Sequence, residues 1–203
     1  MKYQRLYYYF QGALSSFLCD EIIAQGFANN PDIALTGNAQ KPRSKKQLSQ
    51  VLEKRDSSTS WIGDWWVKKE IKPYVDRANK MAGWNFNITN SEKCQFTKYD
   101  EGQYYDWHTD SFETPHRDGD WKGLIRKVSV TVTLSDPKDY EGGFLEFAHH
   151  KNEPHKCEYV KAREGLPRGS IIVFPSYTWH RVTPVTKGTR LSLVQWNLGP
   201  GYI

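Results

Sequence analysis

Between Val128 and Leu134, apolar residues take every second position (Val128, Val130, Val132, Leu134), while Ser129, Thr131 and Thr133 fill the gaps. Successive side chains of a strand point to opposite faces, so this run predicts a strand with one greasy and one small polar face. Further strands are expected at 94–99, 144–147, 171–174 and 190–196, separated by the turn chemistry of Ser135-Asp136-Pro137, Gly142-Gly143 and Pro175-Ser176. The first half reads differently. Leu14-Ser15-Ser16 can cap a helix carrying Leu18, Ile22 and Ile23, and Ser57 to Ser60 precede a helix-like stretch with Trp61, Ile62, Trp65, Trp66, Ile71, Tyr74 and Val75, which Pro73 would kink or divide. Helices followed by short strands give an α+β chain whose second half is a sandwich or jelly roll.

A chain of 203 residues fits one domain and buries enough apolar surface to fold without disulfides. No repeat or linker divides it, so one domain over 1–203 is expected, helical to about residue 90 and sheet-built from 91 on. Its three cysteines, Cys19, Cys94 and Cys157, are odd in number and far apart, which argues against a disulfide framework or a thiolate zinc site and for a reducing compartment. No cleavage pattern of a signal peptide follows the apolar N-terminus, and no apolar run reaches membrane-spanning length. The net charge of +5 is densest over 41–55, where no period organises the lysines and arginines into a face, so a solvated loop or lid is expected there.

Two triplets read His-any-Asp: His108-Thr109-Asp110 and His116-Arg117-Asp118. With six histidines and 23 acidic residues, chance supplies roughly 0.7 such pairs, so context decides. His108 and Asp110 follow a strand-like run, where residues two apart share a side and can bind one ion together. His116 sits in turn chemistry, and His149, His150 and His155 lie among loop residues. His180, at the end of the apolar run that breaks at Pro175, is the candidate third ligand. Two imidazoles and one carboxylate leave adjacent positions open on an octahedral ion and suit iron(II) better than a closed zinc site. Two of those positions can chelate a 2-oxo acid, the third can take dioxygen, and Arg190 stands where its planar fork could grip the far carboxylate of that co-substrate.

The run from Tyr99 to Asp110 resembles the Y-x-x-G-x-x-Y-x-x-H-x-D motif of prolyl 4-hydroxylase-like 2-oxoglutarate oxygenases. The segments from Leu134 to Gly143 and from His180 to Arg190 resemble the bacterial and phage hydroxylases called PKHD-type. The resemblance covers about 90–200 and implies a double-stranded β-helix, a distorted jelly roll, flanked by N-terminal helices. It implies Fe(II) on His108, Asp110 and His180, 2-oxoglutarate on Arg190 with Tyr99 and Thr133 assisting, and ascorbate as a candidate reductant. It also implies the cytoplasm of a bacterial or phage-infected cell, and hydroxylation of a peptidyl proline with release of succinate and carbon dioxide. The carboxylate of Asp110 stands where related halogenases hold halide, so hydroxylation is expected. Trp196 is similar to a tryptophan of that family and reads as packing, while the charged stretch 111–127 departs from the pattern. Two other readings compete. An oxidative nucleic-acid demethylase would suit the basic charge, but the R-x5-R pattern of those enzymes meets Trp196 six residues after Arg190. A catalytically silent metal-binding jelly-roll protein would have no need of all four chemical residues.

Overall fold

The alternating run becomes the interior of a ten-residue strand, Leu124–Thr133, and its two faces meet different neighbours. Val128, Val130, Val132 and Leu134 join Ile22, Val67 and Ile71 in the main apolar core. Burying each such aliphatic side chain stabilises by about 1.5–3 kcal/mol. On the other face, Ser129 Oγ lies 2.9 Å from Ser176 Oγ and Thr133 Oγ1 donates to the Gly165 carbonyl at 2.6 Å. This face lines a cleft.

In this computed structural model the described residues are 5–35, 41–42, 44–111, 114–149 and 158–201. The order is β1 (Tyr8–Phe10), α1 (Ser16–Ala28), β2 (Asp32–Ile33), α2 (Lys45–Lys54), β3 (Arg55–Asp56), β4 (Ser58–Ile62), α3 (Trp65–Met81), β5 (Asn90–Ser91), β6 (Cys94–Tyr99), β7 (Tyr104–His108), β8 (Leu124–Thr133), β9 (Tyr140–Gly142), β10 (Leu145–Ala148), β11 (Tyr159–Lys161), β12 (Ile171–Pro175), β13 (His180–Val182), β14 (Val185–Gly188) and β15 (Arg190–Pro200). A large sheet runs β1-β12-β8-β15-β6-β4-β2 with β5 added beside β15, and a small sheet runs β11-β10-β13-β7-β3. Strands β9 and β14 form a separate pair. Helices α1 and α3 cover the outer face of the large sheet through Cys19, Ile22, Val67, Ile71, Val75 and Ala78. Ile172 and Phe174 of the large sheet meet Phe147 of the small sheet in a second, smaller core between the two. No helix among the described residues is long and apolar enough to cross a membrane.

The helix at Ser16 begins as expected, with Ser15 Oγ accepting from the Leu18 amide at 3.2 Å. The next stretch differs. Trp61 and Ile62 lie on a strand, because β4 pairs with β6 in the register Ser58↔Lys98 to Ile62↔Cys94 and buries Ser60 and Ile62 on alternate positions. The helix starts only at Trp65 and runs unbroken through Pro73. Charge density hid a second element. Over 41–55 the expected loop is largely helix α2, capped by Ser44 and carrying half-buried Leu48, Val51 and Leu52 at i, i+3 and i+4. The first 90 residues therefore supply strands to both sheets as well as three helices, with β1 pairing β12 and β3 pairing β7. Arg43, His150, His155 and Cys157 lie outside the described residues.

Candidate metal centre and adjoining cleft

Strand β7 ends at His108 and β13 begins at His180, and antiparallel pairing sets the two directly opposite each other. Their ring centroids are 4.1 Å apart. Each ring has one nitrogen committed: His108 Nδ1 lies 2.8 Å from the Asp106 carbonyl and His180 Nδ1 2.9 Å from the Thr178 carbonyl. A carbonyl can only accept, so both Nδ1 atoms carry a proton, which leaves Nε2 of each ring as the atom that could ligate a metal. Both Nε2 atoms face Asp110, with Nε2 of His108 3.8 Å from Oδ1 and Nε2 of His180 3.5 Å from Oδ2. Asp110 lies two residues past the end of β7, so its place is set less by the strand ladder than by its amide, which donates to the Ser176 carbonyl at 2.9 Å.

All three side chains are nearly sealed from solvent, and their ligand atoms lie within 4.8 Å of one another. Burial, reinforced by His180, holds the His108 imidazole well below the usual histidine range. Burial alone would raise the Asp110 carboxyl, yet His180, His108, Arg126 and a hydrogen bond from Ser129 outweigh it and keep the group below its ordinary value. Two imidazoles beside a carboxylate are the donor set of a facial triad, so one ion of iron(II) chemistry fits these residues. Tyr105 stacks on His108 at 3.5 Å and Phe174 meets His180 edge-on at 4.6 Å, which fixes both rings. His116 is half-buried, with its amide on the Leu124 carbonyl, and does not join this cluster; His149 is exposed.

Across the cleft, Arg190 opens β15 opposite Tyr99 of β6 and is 4 % exposed. Nη1 donates to Ser192 Oγ at 3.2 Å, and the guanidinium sits 5.5 Å from the Tyr99 ring centre. Among the described residues no carboxylate pairs with it, so a buried positive charge awaits an anion. Gly143 permits this placement: a Cβ there would stand 2.7 Å from Arg190 Cδ. Thr133 lies near Arg190, but its hydroxyl donates to Gly165, whereas Thr131, two residues earlier on the same face, lines the space that contains both Arg190 and the metal ligands.

This inner space continues into a wider outer part, the two sharing Arg55, Gln95, Tyr105, His108, Asp110 and Trp196. Sequence reasoning missed Thr131, Gln95 and Arg55, which line it; Thr131 was visible in the same alternation as Thr133, while Arg55 lay in a stretch read as solvated. Trp196 also faces the cleft rather than serving packing alone, with the Arg126 guanidinium 3.9 Å from its ring and its Nε1 without a partner among the described residues.

Residues 94–197 match the family profile of the 2OG-Fe(II) oxygenase superfamily. A "PKHD-type hydroxylase" of Shewanella frigidimarina is 35 % identical over 102 residues, 50 % of this chain and 41 % of its own length. The "PKHD-type hydroxylase YbiX" of Escherichia coli is 34 % identical over 101 residues, 50 % of this chain and 40 % of its own. The chain thus spans about two fifths of the length of these curated relatives. Among solved structures, a viral collagen prolyl hydroxylase from Paramecium bursaria Chlorella virus-1 aligns with a TM-score of 0.65 at 21 % identity, over 96 % of this chain and 97 % of that one. A prolyl-4-hydroxylase of Pseudomonas putida aligns at 0.63 and 21 %, over 97 % and 94 %. These likenesses establish the shared fold.

Proposed function

The chain belongs to the 2OG-Fe(II) oxygenase superfamily, and on that premise we propose that it hydroxylates a C–H bond, with a peptidyl proline as substrate. One observation carries the reading: a sealed His108, Asp110 and His180 cluster shares a cleft with a buried arginine that has no carboxylate partner among the described residues. The family implies Fe(II) and 2-oxoglutarate, and the three clustered residues could hold the iron. Together iron and 2-oxoglutarate supply the oxidation, in which the 2-oxo acid and dioxygen become succinate and carbon dioxide as one oxygen atom enters the C–H bond.

The chain's own residues supply binding, orientation and dryness. The Nδ1 bonds to Asp106 and Thr178 keep both imidazoles turned with Nε2 inward. Arg190 takes the far carboxylate of 2-oxoglutarate, with Tyr99 beside it on β6 and Thr131 and Thr133 on the adjacent strand β8 of the same sheet. Tyr105 and Phe174 exclude water around the ligands. The two facing sheets are read as a double-stranded β-helix. The peptidyl-proline assignment follows the PKHD-type relatives and the prolyl hydroxylase neighbours, one of which is in complex with a peptide fragment. Buried free Cys19 and Cys94 accord with a reducing cytoplasm.

The test incubates iron-loaded protein with 2-oxoglutarate, dioxygen and, in parallel, proline peptides and methylated single-stranded nucleic acid. Succinate release stimulated by peptide, with one oxygen gained on proline by mass spectrometry, is the expected result. Formaldehyde release from methylated nucleic acid alone would replace this reading with the demethylase.

A further inference from the structure

The buried and half-buried arginines fall into two groups. Arg126 meets Glu92 through Nε and Nη2 at 2.6 and 2.7 Å, Arg168 meets Asp20 at 2.6 Å, and Arg181 meets Glu146 at 2.8 Å. Arg190 and Arg55 are the more deeply buried, at 4 % and 5 % exposed, yet among the described residues neither is paired with a carboxylate. Both face the cleft. Arg55 reaches it from β3 at the edge of the small sheet, with Nε on Ser57 Oγ at 2.9 Å and Nη2 on Gln95 Oε1 at 3.0 Å. These partners are neutral. They orient the guanidinium without answering its charge, and a charge buried that way costs stability unless an anion arrives.

The position of Arg55 indicates where that anion comes from. Its guanidinium lies 4.6 Å from the Tyr105 ring, which in turn stacks on His108, so the charge stands one aromatic ring away from a metal ligand. Arg55 lines the inner space and also the wider outer part, where exposed Lys54 adds a second positive charge and half-exposed Trp61 an aromatic wall. With iron(II) balanced by Asp110 and the near carboxylate of 2-oxoglutarate, Arg190 by the far carboxylate and Arg126 by Glu92, the positive charges of Arg55 and Lys54 are left unanswered among the described residues that line the cleft.

We infer that Arg55 anchors a carboxylate which the substrate presents beside the bond to be oxidised. This rests on the oxygenase reading above and narrows its substrate class. The carboxylate can be an aspartate or glutamate side chain next to the target residue of a polypeptide, or the α-carboxylate of a free amino acid; a guanidinium fork grips either in the same way.

The experiment measures fluorescence anisotropy of a labelled peptide with glutamate beside its proline and of the glutamine twin. The full chain is loaded with iron(II) and 2-oxoglutarate under argon. The glutamate peptide should bind about tenfold or more tightly, as expected for a charge-assisted contact, and the preference should shrink with added salt. Arg55→Gln should erase the preference and Arg55→Lys should keep part of it, with circular dichroism verifying the fold of each. Competition by free proline that depends on Arg55 would assign the free amino acid as the source; its failure to compete would assign the polypeptide. Equal or absent binding of the two peptides to the wild type needs no variant to interpret and overturns the inference. So does a preference that survives in folded Arg55→Gln, or Arg55-dependent binding of labelled single-stranded DNA in place of either carboxylate. A separate measurement of succinate distinguishes the two levels: an Arg55-dependent glutamate preference without any succinate release would leave the anion site standing and sink the oxygenase reading.

Discussion

At the metal end of the cleft, His108 and His180 are each fixed by a backbone carbonyl at 2.8 and 2.9 Å, whereas at the opposite end the hydrogen-bond partner of the Arg190 guanidinium among the described residues is neutral Ser192, at 3.2 Å. The histidines are further clamped by Tyr105 and Phe174, while Arg190 depends on open space left by Gly143. The metal end is thus organised before any ligand arrives, and the arginine end is completed by one. Pre-organised ligand sets lose function steeply when a member is removed; sites completed by a ligand respond in graded fashion.

The largest effect should follow at the rigid end. His108→Ala, Asp110→Ala or His180→Ala should abolish tight iron binding and turnover, measured by calorimetric titration and succinate release, while His116→Ala leaves both nearly intact. Loss of iron in His116→Ala alone would break the comparison at its base. The same end has a pH signature. Because burial and His180 hold His108 below its ordinary value, and Asp110 is also held low, protons compete poorly for these two residues. Iron affinity should persist as pH falls through about 6.5, the unperturbed histidine value, and decline only below it. A midpoint at or above that value would contradict the assignment.

At the adaptable end, Arg190→Lys keeps the charge and loses the planar fork. It should raise KM for 2-oxoglutarate on the order of tenfold or more, for a contact worth about 1.5–3 kcal/mol, with iron affinity retained. A smaller shift tests Gly143. Gly143→Ala adds a Cβ against Arg190 Cδ at φ +58, whereas Gly12→Ala, at φ +55 with nothing within 4 Å, adds similar backbone strain and no clash. Gly143→Ala should lose more stability in thermal melts than Gly12→Ala because of the added clash, and only the first should raise KM for 2-oxoglutarate, by roughly threefold to tenfold, or about 0.7–1.4 kcal/mol. The smallest effect is expected from Thr133→Val. Its hydroxyl is engaged by Gly165, so the change should cost about 1 kcal/mol of stability and little co-substrate affinity; a large KM effect would return Thr133 to direct contact with 2-oxoglutarate.

Much of this was legible from local pattern. The alternation from Val128 to Leu134 announced both faces of β8, and the order of His108, Asp110, His180 and Arg190 identified the residues that share the cleft. Where reasoning from sequence went astray, pairing between distant segments overrode local propensity. Ser58–Ile62 became a strand because β6 was there to pair with it, and the 41–55 stretch showed its charges more plainly than the Leu48, Val51 and Leu52 spacing beneath them.

What the sequence by itself determined is the inventory of chemistry: two histidines and an aspartate that could hold a metal ion, a forked cation ten residues beyond the second histidine, and strands whose period-two pattern turns small polar groups to one side. Only the tertiary structure decided how these are used. It turned both Nε2 atoms toward Asp110 through carbonyls that carry no residue-type signal, and it set Thr131 on the space shared with the clustered histidines while engaging the Thr133 hydroxyl with Gly165. It also withdrew Arg55 from a run of exposed lysines and buried it beside Tyr105 without an acidic partner among the described residues. Charge is a property of the residue, but whether that charge is solvated, paired or left waiting depends on neighbours brought together from distant positions, as Gln95 is to Arg55 across 40 residues.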